Sequence, residues 1–171
     1  MKVILLRGLA ASGKSTLMNS IKNKYPKWMT WSKDTIFDEL LVEGIRWDMA
    51  NKQTYTNLFN LIDSNKDTKN ILIIDAPYYK QNNYQKLRDF CLDRGIIFTS
   101  VLITCSNESQ WRARFKERSA NPKPNQTITD YGEIKKYYGS MNVQPMLGEL
   151  VYDSYNISTQ QYKNLISYIH S

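Results

Sequence analysis

The chain has 171 residues, 42% of them hydrophobic and 23% charged, which fits about one globular domain and excludes disordered and fibrous classes. Lys and Arg outnumber Asp and Glu by 23 to 16, for a formal net charge of +7. That excess suits polyanionic partners such as nucleotides, nucleic acid or acidic membranes, although it also serves simple solubility. Apolar runs such as Val3–Leu6 are far too short to span a bilayer or to form a signal peptide.

In chain order, Val3–Leu6 reads as a strand buried on both faces, and Ser15–Lys24 as a helix stopped at Tyr25-Pro26. Trp28–Ser32 is a weaker strand. Thr35–Ile45 and Met49–Ile62 show helical spacing, the second with Tyr55, Leu58, Phe59 and Ile62 on one stripe. Ile71–Ile74 is a second buried strand, Tyr84–Asp93 a helix ending near Gly95, and Ile96–Thr104 a strand. A basic helix over Ser109–Arg118 precedes a loop containing Pro122 and Pro124. Tyr131–Tyr138 is a short helix, Leu150–Tyr152 a last strand and Gln160–Ile169 a closing helix. This alternation predicts an α/β fold with a parallel sheet. Cys91 and Cys105 fit no metal spacing and no disulfide framework, so reduced thiols in a cytoplasmic protein are expected. The lone His170 argues against histidine-based catalysis and a histidine-rich zinc site.

Gly8-Leu9-Ala10-Ala11-Ser12-Gly13-Lys14-Ser15 matches G-x-x-x-x-G-K-[ST] between a predicted strand and a predicted helix. Such a loop wraps a phosphate with inward-pointing N–H groups, which is why glycines are needed, and the following helix aims its N-terminus at the same anion. Lys14 is placed to reach the β- and γ-phosphates of ATP, Ser15 to ligate Mg²⁺, and Thr16 to reach the α-phosphate. Ala10, Ala11 and Ser12 supply loop backbone around the triphosphate.

Asp75 ends the second buried strand, where an acid meets Mg²⁺ or its bound water in such folds, although an Asp there also caps a strand. Asp75-Ala76-Pro77-Tyr78 lacks the glycine of a GTPase switch, and neither Asn65-Lys66-Asp67-Thr68 nor Asn51-Lys52-Gln53-Thr54 fits the guanine motif. A large motor or AAA-type ATPase calls for more chain, which leaves a small phosphotransferase. Asp34 follows Lys14 by about twenty positions, just past the second predicted strand. Adjacent parallel strands bring their carboxyl ends together, so Asp34 is expected to face the loop. There it can serve as base for an attacking hydroxyl, as N-cap of the next helix, or as both.

This constellation resembles the small P-loop kinases of the polynucleotide kinase and zeta-toxin-like group. The features concerned are Gly8–Thr16, Asp34, Asp75, the arginines 112, 114 and 118, and Asp153-Ser154. The resemblance implies a three-layer α/β/α P-loop NTPase domain over 1–171, with strand order 2-3-1-4-5 and an arginine-bearing lid at about 106–140. It implies Asp34 as general base, Arg114 or Arg118 on the transferring phosphate, and Arg112 on the adenine. ATP and Mg²⁺ are the implied cofactors. The implied acceptor is a nucleoside, a nucleotide or a polynucleotide end, with a non-nucleotide small molecule or a nucleic-acid-binding role without transfer as rivals. One departure bears on the acceptor. Polynucleotide kinases typically carry Arg three residues after the base, and this chain has Phe37. Trp28, Trp31, Trp47, Tyr55, Phe59, Tyr78 and Tyr79 lie before or near the expected acceptor side; Tyr55 and Phe59, at helical spacing, are read as core, and Tyr78 and Tyr79 are the better candidates for stacking on a base. The sequence leaves oligomeric state open and calls for no membrane partner.

Overall fold

The computed structural model describes residues 1–139 and 143–170. Its strands are β1 (Lys2–Arg7), β2 (Met29–Ser32), β3 (Ile71–Asp75), β4 (Ile97–Thr104) and β5 (Leu150–Asp153). They form one all-parallel sheet in the order β2-β3-β1-β4-β5, the order expected from the sequence. The helices are α1 (Lys14–Lys24), α2 (Lys33–Val42), α3 (Trp47–Asn65), α4 (Gln81–Leu92), α5 (Glu108–Ala120), α6 (Tyr131–Gly139) and α7 (Thr159–His170).

Strand alternation divides the apolar runs between two cores. Val3, Leu5, Leu72 and Ile74 face Leu58 and Ile62 of α3 and Leu87 and Cys91 of α4. Ile4, Leu6, Ile73, Val101 and Ile103 face Leu17, Met18 and Ile21 of α1 and Leu165 and Ile169 of α7. Helices therefore cover both faces, as the continuous hydrophobicity of β1 and β3 requires. Each such side chain contributes about 1.5–3 kcal/mol on burial.

Several boundaries differ from the sequence expectation. α2 begins at Lys33 rather than Thr35, because β2 runs straight into it and the last strand residue serves as cap: Ser32 Oγ accepts from Thr35 N at 3.4 Å. Asp34 thus lies in the first helical turn and is not the cap. α4 starts at Gln81, three polar residues ahead of the first apolar one, where hydrophobic spacing carries no signal. Trp28 lies before β2, its indole stacked on Tyr25 with ring centroids 4.3 Å apart. The expected lid contains α5 and α6; its last position, residue 140, lies outside the described residues.

Just before the phosphate loop, the side chain of Arg7 is fully buried. Its Nε donates to Glu149 Oε1 at 2.7 Å, and its Nη2 donates to Glu149 Oε2 at 2.5 Å and to the Gln144 carbonyl at 2.7 Å. The pair ties the stem of the loop to the segment entering β5. Glu149→Ala leaves that guanidinium buried without its counter-charge, and we expect a loss of about 3–5 kcal/mol in chemical denaturation.

Candidate active site

The loop between β1 and α1 takes its shape from three positive-φ residues, Gly8 at 143°, Ala11 at 59° and Gly13 at 100°. A Cβ on Gly8 would stand 2.3 Å from the carbonyl oxygen of Ile103, so the chain leaves β1 too close to β4 for any side chain. Gly13 is the N-cap of α1 and supplies no side-chain acceptor, so N–H groups of the first turn remain open to an anion. The buried Ser12 Oγ inside the loop has no partner among the described residues. Lys14 Nζ donates to the carbonyls of Gly8 and Leu9 at 3.0 and 2.8 Å. These features fit a triphosphate tail.

Strand ends deliver the acids. In the parallel register Asp75 lies level with Leu6 of β1 on one side and Ser32 of β2 on the other. Ser15 Oγ donates to Asp75 Oδ2, a pair of hard oxygen ligands of the kind Mg²⁺ takes. Asp34, two residues past β2, accepts from Arg118 Nη2 at 2.9 Å. Lys14, Asp34, Asp75 and Arg118 line one cleft of about 230 Å³. Burial lowers the Lys14 pKa, opposed by Asp75 and then Asp34. Burial raises the Asp75 carboxyl against the pull of Lys14 and Ser15. For Asp34, burial pushes upward but is outweighed by Lys33, Arg118 and Lys14, which hold the carboxyl below its ordinary value.

The far wall comes from the lid region. Tyr138 Oη accepts from the loop amide of Ala10 at 3.3 Å, and Trp111 Nε1 donates to the Ala10 carbonyl at 2.8 Å. Asn125 clasps Asp38 of α2, donating through N and Nδ2 at 2.8 Å each. Arg114 stands elsewhere, beside a second cleft of about 270 Å³ shared with Gly13, Thr16, Tyr152 and Tyr162. There its Nη1 donates to Ser154 Oγ at 2.6 Å and its Nη2 to the Ser154 carbonyl at 3.0 Å. Arg112 lines neither cleft; its guanidinium lies 5.4 Å from the ring centroid of Tyr131.

Of the two aromatic candidates, Tyr79 lines the first cleft while Tyr78 is buried in the core against Tyr55. Trp47, one of the aromatics expected near the acceptor side, also lines the first cleft; sequence reasoning missed Lys33, Asn125 and Tyr138, which line it too. Lys33 adjoins Asp34 in sequence and could have been found by that adjacency. The Asn125 and Tyr138 contacts span 87 and 128 residues and leave no linear signal. Among the described residues no helix is long and apolar enough to cross a membrane.

Residues 3–132 match the protein family described as AAA domain. Chain length, which had set AAA-type ATPases aside, therefore does not exclude this family. No curated protein matches the chain. Among solved structures, a candidate kinase from Chloroflexus aurantiacus is 14% identical with a TM-score of 0.76, covering 97% of this chain and 96% of that one. An APS kinase from Mycobacterium tuberculosis, solved with AMPPNP and APS, is 17% identical with a TM-score of 0.67, covering 99% and 98%. A gluconokinase from Sinorhizobium meliloti is 14% identical with a TM-score of 0.65, covering 99% and 91%. These likenesses establish the P-loop α/β fold.

Because burial raises the Asp75 pKa, the folded chain holds that proton more tightly than the unfolded one. The ionised carboxylate therefore costs stability at neutral pH, and the cost disappears as pH falls below the unfolded value. Asp75→Asn should melt at a higher temperature than the parent at pH 7 when both are free of metal and nucleotide. The gap should narrow toward pH 4, as followed by circular dichroism.

Proposed function

The chain belongs to the AAA domain family, and from that premise we propose that it is an ATP- and Mg²⁺-dependent kinase that transfers the γ-phosphoryl of ATP to a nucleoside- or nucleotide-type acceptor. The observation that carries this reading is the convergence of Lys14, Asp34, Asp75 and Arg118 on one cleft. The resemblance to polynucleotide kinases and zeta-toxin-like proteins supports the same assignment. The buried Phe37, standing where an arginine would grip a strand, favours a small acceptor over a polynucleotide end. The gluconokinase among the solved neighbours and the modest cleft volume also favour a second reading, a sugar-sized acceptor. A cytoplasmic location with reduced Cys91 and Cys105 belongs to the proposal.

Each residue's task follows from its position. The amides at the Gly13–Ser15 end of the loop and the Lys14 ammonium hold the triphosphate, while Ser15 and Asp75 would hold the metal ion. That ion, when bound, neutralises charge building on the phosphates. Asp34, ionised throughout the neutral range, accepts the proton of the attacking hydroxyl as its oxygen closes on the γ-phosphorus. Arg118 orients that carboxylate and steadies the equatorial oxygens of the moving phosphoryl, a role worth about 10³–10⁵ in rate where arginine fingers are used. Arg114, next to Gly13, grips the nucleotide from the other cleft. The lid contacts at Ala10 and Asp38 keep water from competing with the acceptor.

Transfer from labelled ATP across a panel of nucleosides, nucleotides, sugars and DNA ends tests this reading. Lys14→Ala should abolish labelling. Asp34→Asn should keep ATP affinity while losing about 10²–10⁴ in rate. A fully active Asp34→Asn enzyme would remove Asp34 as base. Steep salt-dependent oligonucleotide binding with no transfer to any acceptor would replace the kinase by a binding module.

A further inference from the structure

Among the described residues, Lys33 is the one cation lining the first cleft that the phosphoryl-transfer roles leave without a task. Its side chain retains only 14% of its exposure, and its Nζ sits 3.9 Å from the ring centroid of Phe37. Phe37 is itself fixed edge-on against Trp47, with centroids 4.7 Å apart. The ammonium is therefore held in place on an aromatic floor inside the cleft. It carries three N–H donors, and it forms one ion pair, with Asp34 Oδ1 at 3.6 Å.

Both acids beside Lys33 are shared with other donors. Asp34 accepts from Arg118. Asp38 has one oxygen on Asn125 N and the other on Asn125 Nδ2. Burial lowers the Lys33 pKa, opposed first by the charge of Asp34 and its hydrogen bond and then by the charge of Asp38. A largely buried ammonium that shares its nearest acid with Arg118, one residue from the base, keeps N–H donors for an anion that enters the cleft.

We propose that Lys33 is an acceptor-recognition residue, and that the acceptor carries an anionic group, a phosphate or a carboxylate, close to the hydroxyl it presents to Asp34. The proposal rests on the kinase reading and narrows its substrate class. It gives the cleft a second route to anion recognition, from the residue just before the base, where Phe37 has removed the route three residues after it.

The test pairs neutral and anionic acceptors: thymidine with its monophosphates, glucose with its monophosphates, and glucose with gluconate. Two readouts are taken, transfer from labelled ATP and calorimetric binding to the ADP-loaded protein. The anionic member of at least one pair should be favoured by about tenfold or more, the range of a charge-assisted hydrogen bond. Lys33→Met should bring that preference to near unity with ATP affinity unchanged, and Lys33→Arg should restore it. If Lys33 only oriented Asp34, Lys33→Met would slow both members of a pair equally and leave their ratio intact, which overturns the proposal. Equal use of neutral and anionic acceptors, or binding of none, overturns it as well. The three pairs separate nucleotide, sugar phosphate and sugar acid. Anion-selective, Lys33-dependent binding with no transfer would sustain the recognition role while ending the kinase reading. Transfer to neutral acceptors alone would do the reverse.

Discussion

The cleft depends on how level the carboxyl ends of three parallel strands are. Leu6 pairs with Asp75, and Asp75 with Ser32, so the loop after β1, Asp75 and the turn carrying Asp34 depart from one line across the sheet. In a parallel ladder a slip of one residue exchanges the two faces of a strand. Here such a slip would also drive Leu72 and Ile74 out of one core and Ile73 out of the other. Packing on both faces therefore enforces the register, and the register places the acids. The stability of the cores and the geometry of the site are one constraint.

On that floor the charges are arranged so that each is fixed before any ligand arrives. Asp75 is held by Ser15, Asp34 by Arg118, and Lys14 by the loop carbonyls of Gly8 and Leu9. Burial opposes the charged form of Lys14 and of Asp75, and each partly relieves the other. A site of this kind has already met the cost of orienting its dipoles and charges, the property that lets electrostatic stabilisation act on a transition state. Arg118 reaches Asp34 from α5 across 84 residues, so the site is complete only when the region after β4 lies over it.

Much of this was legible in the chain, and for local reasons. The phosphate loop is written in eight consecutive residues, and its context of strand and helix is written in the apolar runs on either side. The sheet order followed from the alternation of strands and helices and the family resemblance. Asp34 and Asp75 were found because each ends or follows a strand in the line of the loop. What stayed hidden lies in pairs far apart in sequence. Nothing near Asn125 announces Asp38, and nothing near Tyr138 announces Ala10. Arg114 and Arg118, four residues apart on one helix face, could not be told apart in the sequence, and Arg112 lay to one side of them. The turn of the helix sends Arg118 to the first cleft, Arg114 to Ser154 and Arg112 to Tyr131. Tyr78 and Tyr79 are adjacent, yet one points into the core and the other into the cleft. Adjacency in sequence told little about direction.

The pairing of Arg7 with Glu149 joins residues 142 positions apart. Arg7 ends the central strand, so the middle of the sheet cannot be sealed from water until its counter-charge is present. During synthesis at about 5–20 residues per second, that interval is roughly seven to thirty seconds. Through that time the growing chain carries a hydrated guanidinium at the heart of its future sheet. The last strand therefore does more than add an edge: its arrival dries the middle of the protein, and it makes completion of the domain a late, collective event rather than a march from the amino terminus.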